Sequence, residues 1–248
     1  MRTLKLSTPF GVLLSLGSLI VWYGSPLRAL TQPGSPSLAD ESKDLFKPPP
    51  KGATVLFNAK DKDLSGWTTL DGKPAEWKVE DDFMEVAPGK SHIRTKETFG
   101  PDFQLHVEFW IPLMADKKDQ ARGNSGVYLQ GRYEIQVLDS YMNETYKGGE
   151  CAALYLLIPT TKNACKPPEQ WQTYDITFRA PRVDDAGKVT QKGHVTVVQN
   201  GEKVTDGDFD KVTGGNLDEK LGEPGCIFLQ DHGCKVRYRN IWIKPLEK

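Results

Sequence analysis

The sequence predicts an all-β sandwich of two antiparallel sheets. Residues 103–111 alternate between an apolar face and a face that carries Gln104, His106, Glu108 and Trp110, and residues 171–179 alternate again. Asn200-Gly201 separates two further alternating runs, which is a strong signal for a β-hairpin. No window has a long apolar stripe of period 3.6. About a dozen short strand signals with turns between them are typical of a sandwich or barrel.

The strand signals continue along the rest of the chain. Strands are predicted over residues 54–57, 76–79, 83–86, 103–111, 171–179, 194–199, 202–205, 227–230 and 236–243. Residues 124–139 predict two more strands joined by a turn at Gln130-Gly131. The aromatic last strand is expected to pair centrally in its sheet. Residues 151–157 are the only helical candidate, and this candidate is short.

Composition narrows the class of partner. The chain has 248 residues, 32 Lys and Arg against 33 Asp and Glu, and a formal net charge of −1. No basic run is present, so nucleic-acid binding is not expected. A neutral, polar partner such as a saccharide fits this charge balance better.

The N-terminal residues have the form of a secretory signal. A basic start is followed by an apolar run over residues 10–23. We expect a signal peptide over residues 1–24, with cleavage as late as residue 39, then a Pro/Ser-rich linker over 25–51 and one domain over 52–248. Secretion or periplasmic export follows. The run is shorter than the roughly 20 residues of a membrane span, so a retained anchor is less favoured, and no other membrane contact is expected.

Four cysteines allow three disulfide pairings in an exported protein. Cys151 and Cys165 bracket one loop and are the favoured pair, and Cys226 with Cys234 is a second candidate. The alternative is four reduced, packed thiols. A zinc site is not expected, because neither CxxC nor HxxxH spacing occurs.

The strand over residues 133–137 carries the first candidate chemistry. Glu134 and Gln136 share one face, while Asp139 would join them only through a β-bulge. The E-x-Q-x-x-D pattern resembles the E-x-D-x-x-E strand of laminarinase-like glycosidases. The amide in its middle cannot titrate, which weakens a two-carboxylate mechanism. The alternative is a half-buried strand with a solvated polar face.

Other polar residues lie near this hairpin or in a later loop. His232 is one of four histidines and follows Asp231 between two strands, so it could move protons near neutral pH. Its alternative role is to order the loop. Glu108 could be an ordinary exposed strand residue, Asn124 a turn cap, and Arg132 half of a surface ion pair. Exposed aromatic faces could stack on sugar rings.

Several segments together resemble a known family. They are residues 64–67 (LSGW), 76–81 (EWKVED), 103–109, 123–129 (GNSGVYL), 133–139 (YEIQVLD), 171–176 (WQTYDI), 229–233 (LQDHG) and 236–243. They are similar to the bacterial 3-keto-disaccharide hydrolase domain, also described as 3-keto-glucoside 1,2-lyase and 3-keto-2-hydroxy-glucal hydratase. The resemblance implies a concanavalin A-like jelly roll, a site on its concave face and a sugar substrate oxidised at carbon 3.

The candidate site follows from the residues and the resemblance together. The expected catalytic residues are Glu134, His232 and Asp139. The expected substrate-binding residues are Glu108, Asn124, Tyr128, Gln130, Arg132, Gln136, Trp171, Gln230 and Asp231. No cofactor is firmly expected, although the carboxylates would allow a divalent cation such as calcium.

Three functions remain open at this point. The first is cleavage of 3-keto-glucosides by hydrolysis, or by 1,2-elimination followed by hydration. The second is hydrolysis of unoxidised glycosides, and the third is lectin-like binding without catalysis. Convergence of Glu134, Gln136, Glu108 and His232 in one pocket would favour catalysis, whereas a groove lined only by tryptophans would favour binding.

Overall fold

A computed structural model describes residues 45–247, and this part of the chain folds almost entirely into β-strands. The strands are β1 (Thr54–Phe57), β2 (Trp67–Thr69), β3 (Lys78–Glu80), β4 (Phe83–Glu85), β5 (Ile93–Thr95), β6 (Asp102–Trp110), β7 (Ser125–Leu129), β8 (Tyr133–Val137), β9 (Trp171–Arg179), β10 (Arg182–Val183), β11 (Val189–Gln191), β12 (Gly193–Gln199), β13 (Glu202–Phe209), β14 (Phe228–Leu229) and β15 (Arg237–Pro245). A 3₁₀ turn covers Asp119–Ala121.

Two antiparallel sheets form the sandwich, which confirms the predicted fold class. The large sheet has the order β13-β12-β9-β6-β15-β4-β3, with β1 also paired to β15. The small sheet has the order β2-β5-β14-β7-β8. A separate ribbon pairs β10 with β11. Chain neighbours often lie in different sheets, as expected of a jelly roll.

The predicted turns and the central last strand are also confirmed. Asn200 and Gly201 have φ values of 52° and 80°, and they join β12 to β13 as the left-handed pair that a tight hairpin needs. Gln130 and Gly131, with φ of 53° and 69°, join β7 to β8 in the same way. Strand β15 pairs with β6 on one side and with β4 and β1 on the other.

The core lies between the inner faces of the two sheets. Alternate residues of β6 and β9 meet the apolar face of β7 and β8, because a strand directs every second side chain to the same side. The Phe178 ring contacts Phe103, Tyr133 and Phe209, at centroid distances of 5.0, 5.3 and 5.8 Å. The buried Tyr174 hydroxyl donates to the Gln136 carbonyl at 2.6 Å and so ties the large sheet to β8.

The expectation of a helix over residues 151–157 is wrong. The segment forms turns, and its backbone pairs with the free edge of β8. Ala152 N–H donates to Gln136 O at 2.9 Å, and Tyr155 N–H donates to Glu134 O at 3.0 Å. These bonds satisfy the outer edge of the strand that carries Glu134, which a helix could not do because its own N–H groups are used internally.

The expected Cys151–Cys165 disulfide is not present, and all four cysteines are buried free thiols. The Cys151 sulfur lies 3.0 Å from the Tyr174 hydroxyl and accepts from Gln199 Nε2 at 3.4 Å. The Cys165 thiol donates to Leu138 O at 3.6 Å. The two thiols also interact with each other, and both are packed into the core.

Contacts with the domain begin before the expected boundary at residue 52. The Phe46 ring lies 3.9 Å from the Arg239 guanidinium, and Lys47 O accepts from Asn240 and Trp242. The expected signal peptide over 1–24 and the linker as far as residue 44 lie outside the described residues. Across the part of the chain that the structure covers, no helix has the length and apolarity to cross a membrane.

The position of Phe178 predicts a large stability loss on truncation. Phe178→Ala should lower the free energy of unfolding by about 3–5 kcal/mol, because it leaves a cavity among three aromatic rings. Urea denaturation measures this change. Leu113→Ala is the matched control, since Leu113 is 57% exposed and its loss should cost less than about 0.5 kcal/mol. Equal costs for the two variants would contradict the assignment of the core.

Candidate functional site

The strand register aligns a row of side chains on the outer face of the small sheet. Thr68 lies opposite Arg94, Arg94 opposite Phe228, Phe228 opposite Tyr128, and Tyr128 opposite Glu134. Directly opposed residues in antiparallel strands direct their side chains to the same face. The polar face predicted for the β7–β8 hairpin is therefore part of a surface that extends over the whole small sheet.

A cleft of about 240 Å³ opens on this face. It is lined by Gln120, Asn124, Tyr128, Glu134, Gln136, Tyr146, Tyr155, Gly214, Gly215, Gln230 and His232. Most of these side chains are amides or phenols, which can donate and accept hydrogen bonds without carrying charge. Such a lining suits a ligand rich in hydroxyl groups.

Glu134 is the ionisable group at the centre of the cleft. Its side chain is almost wholly buried, and this burial raises the pKa of the carboxyl from 4.5 to about 7 against the opposing effect of a hydrogen bond from Tyr128. Gly126 on the neighbouring strand makes room for the carboxyl, because a Cβ at Gly126 would overlap Glu134 Oε1. The carboxyl is therefore poised to gain or lose a proton near neutral pH.

The contacts of the Tyr128 hydroxyl explain how Glu134 is held in either protonation state. This hydroxyl lies 2.9 Å from Glu134 Oε2 and 3.0 Å from Gly214 O. Its single proton can be donated to only one of these two acceptors at a time. When Glu134 is ionised, Tyr128 donates to the carboxylate. When Glu134 is protonated, its own O–H can donate to Tyr128, and the tyrosine proton then serves Gly214 O.

The loop that carries Gly214 approaches Tyr128 closely. Gly215 has a φ of 72°, and a Cβ there would overlap the Tyr128 hydroxyl. Only a glycine fits both the conformation and the space. The loop therefore covers the Tyr128–Glu134 pair and contributes to its burial.

A network of amides orients the acceptors of the cleft. Gln120 Nε2 donates to Thr145 and to Gly149 O, which leaves Gln120 Oε1 to accept from Gln136 at 3.0 Å and from Asn124 at 3.2 Å. Gln230 Nε2 donates to Tyr128 at 3.3 Å. Within residues 45–247, the Oε1 atoms of Gln136 and Gln230 then have no hydrogen-bond partner. The cleft therefore contains two buried acceptors that no described residue satisfies.

His232 lies on the rim of the cleft and is exposed. The loop that carries it passes from β14 of the small sheet to β15 of the large sheet. Asp231 anchors the loop by accepting from Gly89 N–H at 2.7 Å and Gly233 N–H at 2.9 Å, while its own N–H donates to His92 Nδ1 at 2.9 Å. Asp231 therefore positions His232 and does not line the cleft.

Asp139 lies outside the cleft. The chain turns after β8, so the Asp139 side chain is buried beneath the loop, where it accepts from Arg122 Nε at 2.7 Å and from Tyr141 N–H at 3.1 Å. Such a paired carboxylate stabilises the turn. Its position leaves Glu134 without an acidic partner from the E-x-Q-x-x-D pattern.

Glu108 and Trp171 lie on the outer face of the large sheet. Glu108 accepts from Arg239 Nε at 2.8 Å and from Asn240 at 2.9 Å. Burial by itself would raise the pKa of Glu108, but hydrogen bonds from His106, Asn240 and Arg239 hold it below its ordinary value. Trp171 lies 3.8 Å from the Arg239 guanidinium. These residues form a separate cluster that does not meet Glu134.

Gln130 and Arg132 line a second cavity on the same sheet face. Arg132 pairs with Asp218 and donates to Glu223 O at 2.7 Å, while Gln130 Nε2 donates to Phe99 O at 3.2 Å. The cleft itself unites six of the twelve expected residues: Glu134, Gln136, Asn124, Tyr128, Gln230 and His232.

Sequence reasoning missed Gln120, Tyr146 and Tyr155, which also line the cleft. Gln120 lies in the isolated 3₁₀ turn, and the two tyrosines come from the loops after β8. The Tyr146 and Tyr155 hydroxyls are hydrogen-bonded to each other. Loop residues follow no hydrophobic period, so the sequence contains no signal that would direct them to this face.

The donor set offers no ready metal site. Among the described residues, no three His, Cys, Asp or Glu side chains lie close enough together to hold a metal ion. Within the lining of the cleft that the structure describes, Glu134 is the only carboxylate and His232 the only imidazole.

The sandwich and its polar cleft fit a carbohydrate-active protein. A family model described as the 3-keto-alpha-glucoside-1,2-lyase-like domain matches residues 52–244. The chain belongs to this family. Membership implies a saccharide substrate and a hydrolase- or lyase-like activity.

Solved structures agree with this family and fold. One from Parabacteroides distasonis ATCC 8503, provisionally described as a glycosyl hydrolase, is 38% identical, covers 79% of this chain and 85% of that chain, and gives a TM-score of 0.73. A second from the same organism, described in the same way, is 22% identical with a TM-score of 0.58, covers 79% and 94% of the two chains, and supports the fold alone. No curated protein matches the chain.

The raised pKa of Glu134 predicts a pH-dependent stability cost. The folded state binds this proton more tightly than the unfolded state, so the stabilisation is complete below pH 4.5 and is lost as pH rises through about 7. The difference between the two pKa values corresponds to about 3 kcal/mol. The unfolding free energy of wild type relative to Glu134→Gln should therefore fall by about that amount between pH 4 and pH 8.

Urea denaturation at a series of pH values measures this difference. The matched control is Glu97→Gln, which removes an exposed carboxylate. The free energy of unfolding is compared between wild type and Glu134→Gln at each pH. If the difference between the two proteins stays constant with pH, the pKa of Glu134 is not raised.

Proposed function

We propose that this protein cleaves 3-keto-glucosides by 1,2-elimination, followed by hydration of the resulting glycal. The observation that carries the proposal is a single buried carboxyl, Glu134, with a pKa of about 7, in a cleft lined by amides and phenols. A general base is most effective when its pKa lies near the working pH.

The elimination from an oxidised sugar needs only one carboxylate, which acts as a general base. A ketone at C3 acidifies the proton on C2, and Glu134 takes this proton to give an enolate on the C3 oxygen. The enolate reforms the ketone as the C1–O bond breaks, which leaves a C1–C2 double bond. The leaving oxygen takes a proton, and water then adds across the double bond to give the free 3-keto sugar.

The other residues of the cleft have roles consistent with this sequence of steps. His232 on the rim is the proposed acid that protonates the leaving oxygen. Gln136 Nε2 and Gln230 Nε2 each donate one hydrogen bond within the protein, and the second N–H of each is the proposed donor to the developing enolate oxygen. The unpartnered Oε1 atoms of Gln136 and Gln230 would accept sugar hydroxyls and orient the ring.

The two alternative functions have weaker support. Direct glycoside hydrolysis uses two carboxyl groups about 5–9.5 Å apart, whereas the cleft lining that the structure describes contains one. A binding module has no need for a buried carboxyl, which costs stability at neutral pH. No tryptophan lies among the described lining residues, so the tryptophan platform expected of a lectin-like groove has no support.

Turnover of oxidised and unoxidised sugars tests the proposed function. The purified protein should cleave a 3-keto-disaccharide and leave the parent disaccharide intact. Glu134→Gln should lower kcat/KM by about 10²–10⁴ because the base is lost. When the reaction runs in D₂O, the sugar released by the enzyme should carry deuterium at C2. The same sugar incubated in D₂O without enzyme is the control for spontaneous exchange. Inactivity on both sugars, or turnover without C2 exchange, would refute the elimination.

The pH profile tests the identity of the base. Because ionised Glu134 is required, kcat/KM should rise with pH through a limb near 7. The Tyr128 hydrogen bond lowers the pKa of Glu134, so Tyr128→Phe should move this limb to higher pH. A limb that stays in place in Tyr128→Phe, or that persists in Glu134→Gln, would assign the base to another residue.

We also propose export through the N-terminal signal over residues 1–24. The basic start and the short apolar run support it. Expression of the full chain in a bacterial host should give a protein outside the cytoplasm that has lost its first 24–39 residues, as read by mass spectrometry of the intact product. An uncleaved protein in the membrane fraction would support a signal anchor instead.

A further inference from the structure

A second cavity lies beside the cleft on the outer face of the small sheet. It encloses about 480 Å³, and its lining includes Thr68, Arg94, Lys96, Gln130 and Arg132. The volume is large enough for one sugar unit or a group of similar size. The proposed elimination uses none of these side chains.

The cavity presents unneutralised positive charge. Arg132 is neutralised by Asp218, with Nη2 donating to Oδ2 at 3.3 Å. Arg94, which is half-buried, has no hydrogen bond or ion pair to any residue in the described part of the chain. Lys96 adds a further cation at the margin, where Asp63 offsets part of its charge. A half-buried guanidinium without a protein partner is an effective binding group for a carboxylate or phosphate.

Gln130 gives the cavity an acceptor beside these cations. The side chain is 2% exposed, and its Nε2 is held by Phe99 O at 3.2 Å, which fixes the orientation of the amide. Its Oε1 has no hydrogen-bond partner within residues 45–247. A buried acceptor without a partner carries a desolvation cost that a ligand hydroxyl would relieve. The cavity therefore combines a site for an anion with a site for a hydroxyl.

The cavity and the cleft are close enough to bind one substrate. Tyr128 borders the cleft, Leu217 and Cys226 border the cavity, and these three side chains pack in one cluster with Phe228. Arg94 and Glu134 are three strand steps apart in the register. At about 4.8 Å per step their Cα atoms are roughly 14 Å apart, which is a distance that a short oligosaccharide spans.

We propose that the Arg94 cavity is a subsite for an anionic sugar unit, such as a uronic acid, in the leaving-group part of the substrate. The proposal rests on the cleavage of 3-keto-glucosides at Glu134 and names the class of leaving group. Arg94 pairs with the carboxylate, and Gln130 accepts a hydroxyl of the same unit. The enzyme then prefers 3-keto-glucosides with an acidic aglycone over neutral ones.

Paired substrates test this preference. The wild type is assayed on a 3-keto-glucosyl glucuronide and on the corresponding 3-keto-glucosyl glucoside. The acidic substrate should have a kcat/KM about tenfold higher or more, mainly through a lower KM, because a charge-assisted bond distinguishes the two. Arg94→Gln should abolish the preference, by raising KM for the acidic substrate more than for the neutral one. Arg94→Lys should retain part of the preference.

Lys203→Gln is the control for loss of one positive charge. It removes an exposed cation from β13 of the large sheet and should keep the full preference. Calorimetry with glucuronate, glucose 6-phosphate and glucose reports binding without turnover. Binding of an acid but not of glucose, lost in Arg94→Gln, supports the subsite even if no substrate is cleaved.

The outcomes identify the anion or overturn the proposal. Tighter binding of glucose 6-phosphate than of glucuronate, with the same loss in Arg94→Gln, keeps the anionic subsite and assigns it to a phosphate. Equal binding of glucose and the two acids, or equal kcat/KM for the paired substrates, overturns the proposal. Absence of turnover on both substrates contradicts the proposed function and leaves the calorimetry to decide the subsite.

Discussion

The burial of one carboxyl against a glycine is the constraint on which this site depends. In the β7–β8 hairpin, Gly126 lies beside Glu134, and Tyr128 lies directly opposite it. The missing Cβ at Gly126 lets the carboxyl lie close to the sheet and out of water, and the tyrosine supplies the hydrogen bond. Burial and this bond have opposite effects on the pKa, and burial is the stronger, which leaves the pKa of Glu134 at about 7.

Glu108 shows how the same residue type behaves in another environment. Both glutamates are buried, each on the outer face of its sheet, but Glu108 contacts Arg239, Asn240 and His106. A β-bulge between Arg239 and Trp242 lets Arg239 and Asn240 both reach it. Its lowered pKa makes it a permanent anion suited to a structural ion pair. Glu134 has no cation within hydrogen-bond distance among the described residues, so it remains a group that can exchange a proton.

The edge of the small sheet connects the fold to the chemistry. Strand β8 is the last strand of its sheet, and an unpaired edge next to a cleft would admit water to the backbone. Residues 152–155 cover this edge with their own N–H and C=O groups. The same stretch of chain adds Tyr155 to the cleft, so one loop both protects the strand and shapes the site.

The sequence by itself determined most of the strands, the tight turns and the polar face of the hairpin, but it gave no signal for the short strands β2, β5, β10 and β11. Residues 103–111 and 171–179 alternate with period two, and Asn200-Gly201 has the backbone preference that a hairpin turn needs. These are local properties, written into each segment by the geometry of a strand or a turn. The same local rule put Glu134 and Gln136 on one face, and the structure has them there.

Only the tertiary structure decided which polar residues meet. Asp139 is five residues from Glu134 and faces Arg122 instead, because the chain turns immediately after β8. Gln120 and Gly214 come from distant loops and yet complete the surroundings of Glu134 and Tyr128. Residues 151–157 form turns and not a helix for the same reason, because their backbone groups bind the free edge of β8. The backbone hydrogen bonds and ion pairs of a segment form with residues that the fold places next to it. Those residues are distant in the sequence, so the segment itself does not identify them.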